Sequence, residues 1–314
     1  MPSTIMMFCG QGAQYYQMGR ALYDRDPVFR QEMDRCDRIV AAMGGTPVSQ
    51  VIYGRSLSET DGFDRLTETN PALLAISHAL ATTMMAQGVR PDRLLGYSLG
   101  ETIAAVAGGV LSLEDGFRLV LGQARLFEQY APPGTMIAVL ADPVRVAGSA
   151  ALMAFCDMAA INTPSHCVLS LLARDIPAVT AELDRMGVTW ARLPVRYPFH
   201  AAAIEPLARP MQDLTSTFRF APSRWPIVSA TTGGIVPRFD GAHIWRVMRN
   251  ALRFRETIEA LARQDAWTLV EAGPSGTLAS FTRQMRLPAL TAWASIDQFG
   301  QNDRTMRQLV AAAT

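Results

Sequence analysis

The apolar run Thr4 to Cys9 breaks abruptly into Gly10-Gln11-Gly12-Ala13-Gln14, a loop of two glycines and two amides. So short a run with so polar an ending reads as a buried strand that delivers a loop. Helical periodicity follows over Val28 to Met43 and again over Pro71 to Gln87, the second expected to begin at its proline, where a missing N–H costs nothing. Arg90-Pro91-Asp92 marks a turn, so Asp92 to Gly96 has room only for a strand end, and Glu101 to Gly108 reads as a helix that begins directly at Ser98. Ser112 then predicts the cap of a helix reaching Tyr130, with Glu114 and Asp115 in its first turn and Phe117, Val120 and Leu121 facing the core.

At Pro132-Pro133-Gly134 the pattern changes. Strands are expected over Thr135 to Leu140, Met158 to Asn162, Cys167 to Leu172 and Val188 to Val195, with helices over Pro143 to Phe155 and Arg174 to Met186. This β-α-β-β-α-β order is that of a ferredoxin-like unit set into a larger α/β layer. Residues 133–195 form the small unit, and 1–132 with 196–314 form the large one. Beyond His200 the α/β alternation resumes: helix Ile204 to Thr217, strand Pro226 to Ala230, a helical stretch Ala242 to Gln264 and strand Thr268 to Glu271.

Composition narrows the function. With 314 residues, 49% of them hydrophobic, and a net charge of +1, the chain can bury a large core and offers no basic field for nucleic acid. All 29 basic residues are arginine, which excludes a P-loop lysine and a lysine Schiff base. Cys9, Cys36, Cys156 and Cys167 have neither C-x-x-C spacing nor a disulfide pattern, so no metal site is expected. The N-terminus lacks a basic region and a long apolar core, and no later run approaches the ~20 apolar residues of a membrane span. A cytoplasmic monomer is the default expectation.

The chemistry centres on Gly96-Tyr97-Ser98-Leu99-Gly100. A serine between glycines, placed between a strand and a helix, is the pattern of a nucleophile elbow, and the helix N-terminus beneath it supplies dipole and free N–H groups for an oxyanion. The hydroxyl needs a base. His78 lies inside an apolar helix, His166 at a hairpin turn and His243 at a helix start, all positions suited to structural roles. His200 ends Tyr197-Pro198-Phe199-His200, where the inserted unit returns the chain to the main layer. On position alone it is either the base or a satisfied core histidine.

Phe8 to Gln14, Asn70-Pro71-Ala72, Gly96 to Glu101, Asn162-Thr163-Pro164, Phe199-His200, Arg249 to Phe254 and Glu271 to Pro274 resemble, in order and spacing, motifs of the malonyl-CoA:acyl-carrier-protein transacylases of fatty-acid and polyketide synthesis. The resemblance covers nearly the whole chain. It implies an α/β-hydrolase-like large subdomain with the ferredoxin-like insertion, and no bound cofactor, the substrate being carried on the phosphopantetheine of an acyl-carrier protein or on CoA. It implies a Ser98–His200 dyad, an oxyanion hole from the Gln11 and Leu99 N–H groups, the Arg253 carbonyl orienting His200, and Asn70 and Asn162 lining the acyl pocket. Arg185, Arg192, Arg196 and Arg224 are candidates to meet an acidic carrier protein.

Three departures bear on the substrate. Dicarboxylate-specific members carry an arginine on the helix after the elbow, and the aligned residue here is Gln123. Arg125 cannot replace it, since two positions along a helix is a rotation of about 200°. Tyr97 stands where most relatives have histidine, and bulky Phe199 disfavours α-branched acyl groups. Neutral acyl thioesters remain. The expected activity is that of the acyl hydrolases that clear stalled carrier proteins in trans-acyltransferase polyketide systems, a proofreading role that proceeds through acyl-Ser98. The alternatives are transfer of a neutral acyl group between CoA or carrier thiols, and an inactive carrier-binding scaffold.

Overall fold

The computed structural model describes residues 3–54, 62–296 and 302–313. The N-terminal apolar run forms strand β1 (Ser3–Phe8), buried at every residue after the first. A strand so apolar on both faces belongs inside a parallel sheet covered by helices. It is flanked there by β2 (Arg93–Gly96) on one side and β9 (Trp267–Glu271) on the other, both parallel to it. Strands β10 (Leu290–Ala294) and β7 (Ile227–Ser229) extend the parallel sheet, and the two-residue β8 (Gly234–Ile235) closes one edge antiparallel, giving the order β10-β9-β1-β2-β7-β8.

The second sheet is antiparallel: β3 (Gly134–Leu140), β4 (Asp157–Thr163), β5 (His166–Leu172) and β6 (Thr189–Arg192), in the order β4-β5-β3-β6. Helices Pro143–Ala147, Ala150–Met153 and Ile176–Arg185 connect its strands and cover a core of their own around Ile137, Val139, Leu169 and Leu183. The single helix expected over Pro143 to Phe155 breaks at Gly148, and Ser149 recaps the chain by accepting from the Leu152 N–H.

Two other departures from the sequence pattern shape the site. The helix expected to start at Pro71 spans Leu66–Ala86, its first turn closed by the Glu68 and Thr69 N–H groups on the Arg65 carbonyl. Pro71 therefore sits inside a helix, at a cost of about 3 kcal/mol. Burial of fifteen of the helix's 21 residues offsets it. The stretch Ala242 to Gln264 is two helices, Gly241–Arg249 and Phe254–Gln264. Between them Leu252 leaves the helical path to bond β4, donating to the Ala159 carbonyl and accepting from the Ile161 N–H at 2.8 and 2.9 Å. This bridge ties β4 to the segment between those two helices. No helix of the described residues is long and apolar enough to cross a membrane.

Candidate active site

Parallel pairing sets Phe8 of β1 beside Gly96 of β2, so the loops after both strands leave the same edge of the sheet together. Their approach is too close for side chains: a Cβ at Gly10 would lie 2.9 Å from the Ser98 Cβ, and one at Gly100 would lie 2.0 Å from the Phe8 carbonyl oxygen. Ser98 adopts φ 56° and ψ −125° and is followed at once by the helix Leu99–Ala107. His200 also has a positive φ, 60°. Such conformations cost of order 1–3 kcal/mol each and persist where the surroundings enforce them.

Ser98 Oγ lies 2.8 Å from His200 Nε2, and His200 Nδ1 lies 3.0 Å from the Asn250 carbonyl. A carbonyl only accepts, so Nδ1 carries the proton and Nε2 is left to accept from the serine hydroxyl. Burial pushes the His200 pKa down to about 4, against the opposing pull of its backbone hydrogen bonds. The imidazole is thus neutral at pH 7, the state a general base requires.

The carbonyl that holds His200 is Asn250's and not Arg253's. Arg253 caps the helix Phe254–Gln264, and its carbonyl is taken up by the Thr257 N–H and hydroxyl at 3.0 and 2.8 Å. The helix ends at Arg249, so the Asn250 N–H still donates to the Arg246 carbonyl while its own carbonyl turns to the imidazole, and the neighbouring Met248 carbonyl accepts from the His200 N–H.

The Gln11 amide donates to Thr69 Oγ1 and Asn70 Oδ1, and the Asn70 amide reaches the Val120 carbonyl at 3.3 Å. The glycine-rich loop is thereby fastened to the helix that carries Pro71. Among the described residues the Gln11 and Leu99 N–H groups have no acceptor, and both residues line the cavity that contains Ser98.

That cavity, about 80 Å³, also contacts Tyr97, Asn70, Gln123, Phe199, His200 and apolar side chains of both subdomains, among them Met136, Val168 and Leu252. No arginine among the described residues lines it. Gln123 is buried, its amide 3.5 Å from Met248 Sδ, and Arg125 is exposed on the other side of its helix. Phe199 is held by the Phe127 ring at 4.6 Å between centroids. Asn162, expected on the pocket wall, lies behind it instead. Its Oδ1 accepts from the Tyr97 hydroxyl at 2.9 Å and its Nδ2 is 3.1 Å from His166 Nδ1, so the tyrosine ring stands between Asn162 and the cavity. Burial drives the Tyr97 pKa up, keeping the hydroxyl a donor.

Periodicity also missed the support beneath the elbow. Glu101, wholly buried, accepts from Ser229, Thr231 and His243 Nε2, the last at 2.7 Å. The pair joins the elbow helix to Gly241–Arg249, whose far end supplies Met248 and Asn250 to His200. Only the identity of Glu101 in the elbow motif hinted at it. Of the candidate carrier-facing arginines, Arg185 pairs with Glu182 and Arg196 with Asp64, both at 2.7 Å. No group of three metal-ligating side chains occurs among the described residues.

The α/β core carries an inserted antiparallel sheet, and a serine at a strand-to-helix elbow faces a buried histidine. Residues 5–287 match the acyl transferase domain family, and the chain belongs to it. It is 34% identical to the polyketide biosynthesis acyltransferase homologue BaeD of Bacillus velezensis, over 92% of this chain and 89% of that protein. It is 35% identical to the polyketide biosynthesis protein ThaF of Burkholderia thailandensis, covering 96% of this chain but spanning only 26% of that longer protein. Among solved structures, the acyltransferase domain from the second module of the salinomycin polyketide synthase superposes with a TM-score of 0.86 at 32% identity, over 98% of this chain and 72% of that one. The MCAT of Streptococcus pneumoniae gives 0.83 at 28% identity, over 99% and 100%.

Proposed function

We propose that this protein is a serine acyl-thioester hydrolase that removes neutral acyl groups from acyl-carrier proteins in polyketide biosynthesis. The observation that carries this reading is the neutral Gln123 on the wall of the Ser98 cavity, with no arginine among the described residues that line it. A malonyl carboxylate entering there would be desolvated without a counter-ion, whereas an acetyl or butyryl chain meets apolar surface.

In the proposed reaction Ser98 Oγ attacks the thioester carbonyl as its proton passes to His200 Nε2. The Gln11 and Leu99 N–H groups receive the oxyanion, a contribution of roughly 3 kcal/mol per donor. The C–S bond breaks, the departing thiolate takes the proton from His200, and acyl-Ser98 remains. Water, deprotonated by the same nitrogen, attacks that ester, and the acid leaves as Ser98 regains its proton.

Transfer to a second thiol is the alternative, favoured by the name of the Bacillus velezensis relative, and it shares the first half of this cycle. The test is turnover of acetyl-, butyryl- and malonyl-loaded carrier protein by intact-protein mass spectrometry. Free carrier is expected from the neutral acyl groups and not from malonyl. Malonyl release at the butyryl rate contradicts the reading.

A further inference from the structure

Phe239 is the one described residue that lines both the Ser98 cavity and a second, larger cavity of about 710 Å³. That outer groove runs along the β7–β8 edge of the main sheet and is walled by Phe218, Phe220, Trp225, Pro226, Ile235 and Val236. Its charged rim residues, Arg238 and Asp240, pair with each other at 3.4 Å. Phe239 is 8% exposed and rests on the His243 imidazole at 4.8 Å between centroids, and that imidazole is fixed by Glu101. One ring, resting on His243, borders both the smaller chamber at Ser98 and the larger groove.

The inner cavity, about 80 Å³, is the smaller of the two and suits a short acyl chain, against about 710 Å³ in the outer groove. We propose that Phe239 is the chain-length partition of this enzyme, and that the outer groove receives the distal methylenes of longer linear aliphatic acyl groups when the ring turns aside. The aromatic and aliphatic side chains of the groove match an aliphatic tail, and the one residue common to the two linings marks where such a tail would pass. This rests on Ser98 being the acylated residue, and it deepens the neutral-acyl reading without depending on whether water or a thiol is the final acceptor.

The test uses alkyl fluorophosphonates with ethyl to decyl tails, which report cavity length independently of the natural substrate. Ser98 Oγ forms the P–O bond, fluoride leaves as the P–F bond breaks, and the proton goes to His200. In the wild-type chain the labelling rate is expected to fall at least tenfold from ethyl to octyl. Phe239→Ala should raise the octyl-to-ethyl ratio at least tenfold and Phe239→Leu by less, with circular dichroism confirming that both fold. Phe220→Ala placed on Phe239→Ala should lower that raised ratio again.

A ratio that does not move in either Phe239 variant overturns the partition, as does a Phe220 change that slows all tails equally or impairs only carrier-bound substrates, which would make the groove a carrier-protein face. Failure of the neutral-acyl reading shows separately, as malonyl turnover with the length profile intact. A Ser98 that reacts with no tail at all overturns both.

Discussion

Gln123→Arg places a guanidinium where the cavity now offers only an amide resting on Met248. A carboxylate in the wild-type cavity meets the neutral Gln123 amide, a hydrogen bond to a charged group worth about 1.5 kcal/mol. A bidentate arginine–carboxylate pair contributes about 3 kcal/mol, and the difference of about 1.5 kcal/mol corresponds to roughly tenfold in rate. The same arginine, left unpaired when butyrate is the acyl group, slows neutral loading, so both effects move the ratio in one direction. The assay is single-turnover acylation of Ser98 from malonyl-CoA and butyryl-CoA, quenched and read by intact mass. The malonyl-to-butyryl ratio should rise roughly tenfold. A change of less than threefold, or a wild-type enzyme that already loads malonyl as fast as butyryl, refutes the assignment of specificity to position 123.

Because burial holds the His200 pKa at about 4, kcat/KM should stay flat from pH 8 to pH 5 and fall only as the pH approaches that value; a midpoint near 6.5 contradicts the buried-base geometry. The same depressed pKa gives stability that is present above the unfolded value of ~6.5 and lost as pH falls toward 4, worth about 3 kcal/mol at most in urea titrations. Removing the imidazole with His243→Ala strands the buried Glu101 carboxylate, and urea unfolding at pH 7 should show a loss of about 3–5 kcal/mol; a loss below 1 kcal/mol would mean that the pair is not coupled. Glu271 is wholly buried, with Oε1 unpaired beside Cys9, and desolvation pushes its pKa up to about 7. A raised carboxylate costs stability as pH climbs through that value, so Glu271→Gln should stabilise the protein by up to about 3 kcal/mol at pH 8 and by little at pH 5. Equal effects at the two pH values contradict it.

Local signals carried much of this architecture. The run from Thr4 to Cys9, the Ser112 cap and the β-α-β-β-α-β rhythm depend on neighbours in sequence, and the strands and helices form where those signals lie. Ser98, His200, Gln123 and Phe199 come together on one cavity because glycines and a single loop return dictate where each emerges. What escaped was set by long-range contacts. Asn250 is an exposed polar residue in a helical rhythm, and only the pull of β4 on Leu252 breaks that helix and frees its carbonyl. Asn162 is drawn off the cavity by a tyrosine hydroxyl 65 positions away in sequence, and Pro71 is carried inside a helix by burial that no proline rule anticipates.

The fate of the acyl group that the proposed cycle places on Ser98 is the decisive observable. Butyryl-loaded carrier protein is mixed with the enzyme in ¹⁸O-water beside an equal amount of empty carrier, and both the protein masses and the released acid are followed. The expected result is a transient butyryl adduct mapped to Ser98, followed by free butyrate carrying one ¹⁸O and an empty carrier that stays empty. Butyryl recovered on the second carrier with no labelled acid, or no adduct on Ser98, contradicts it.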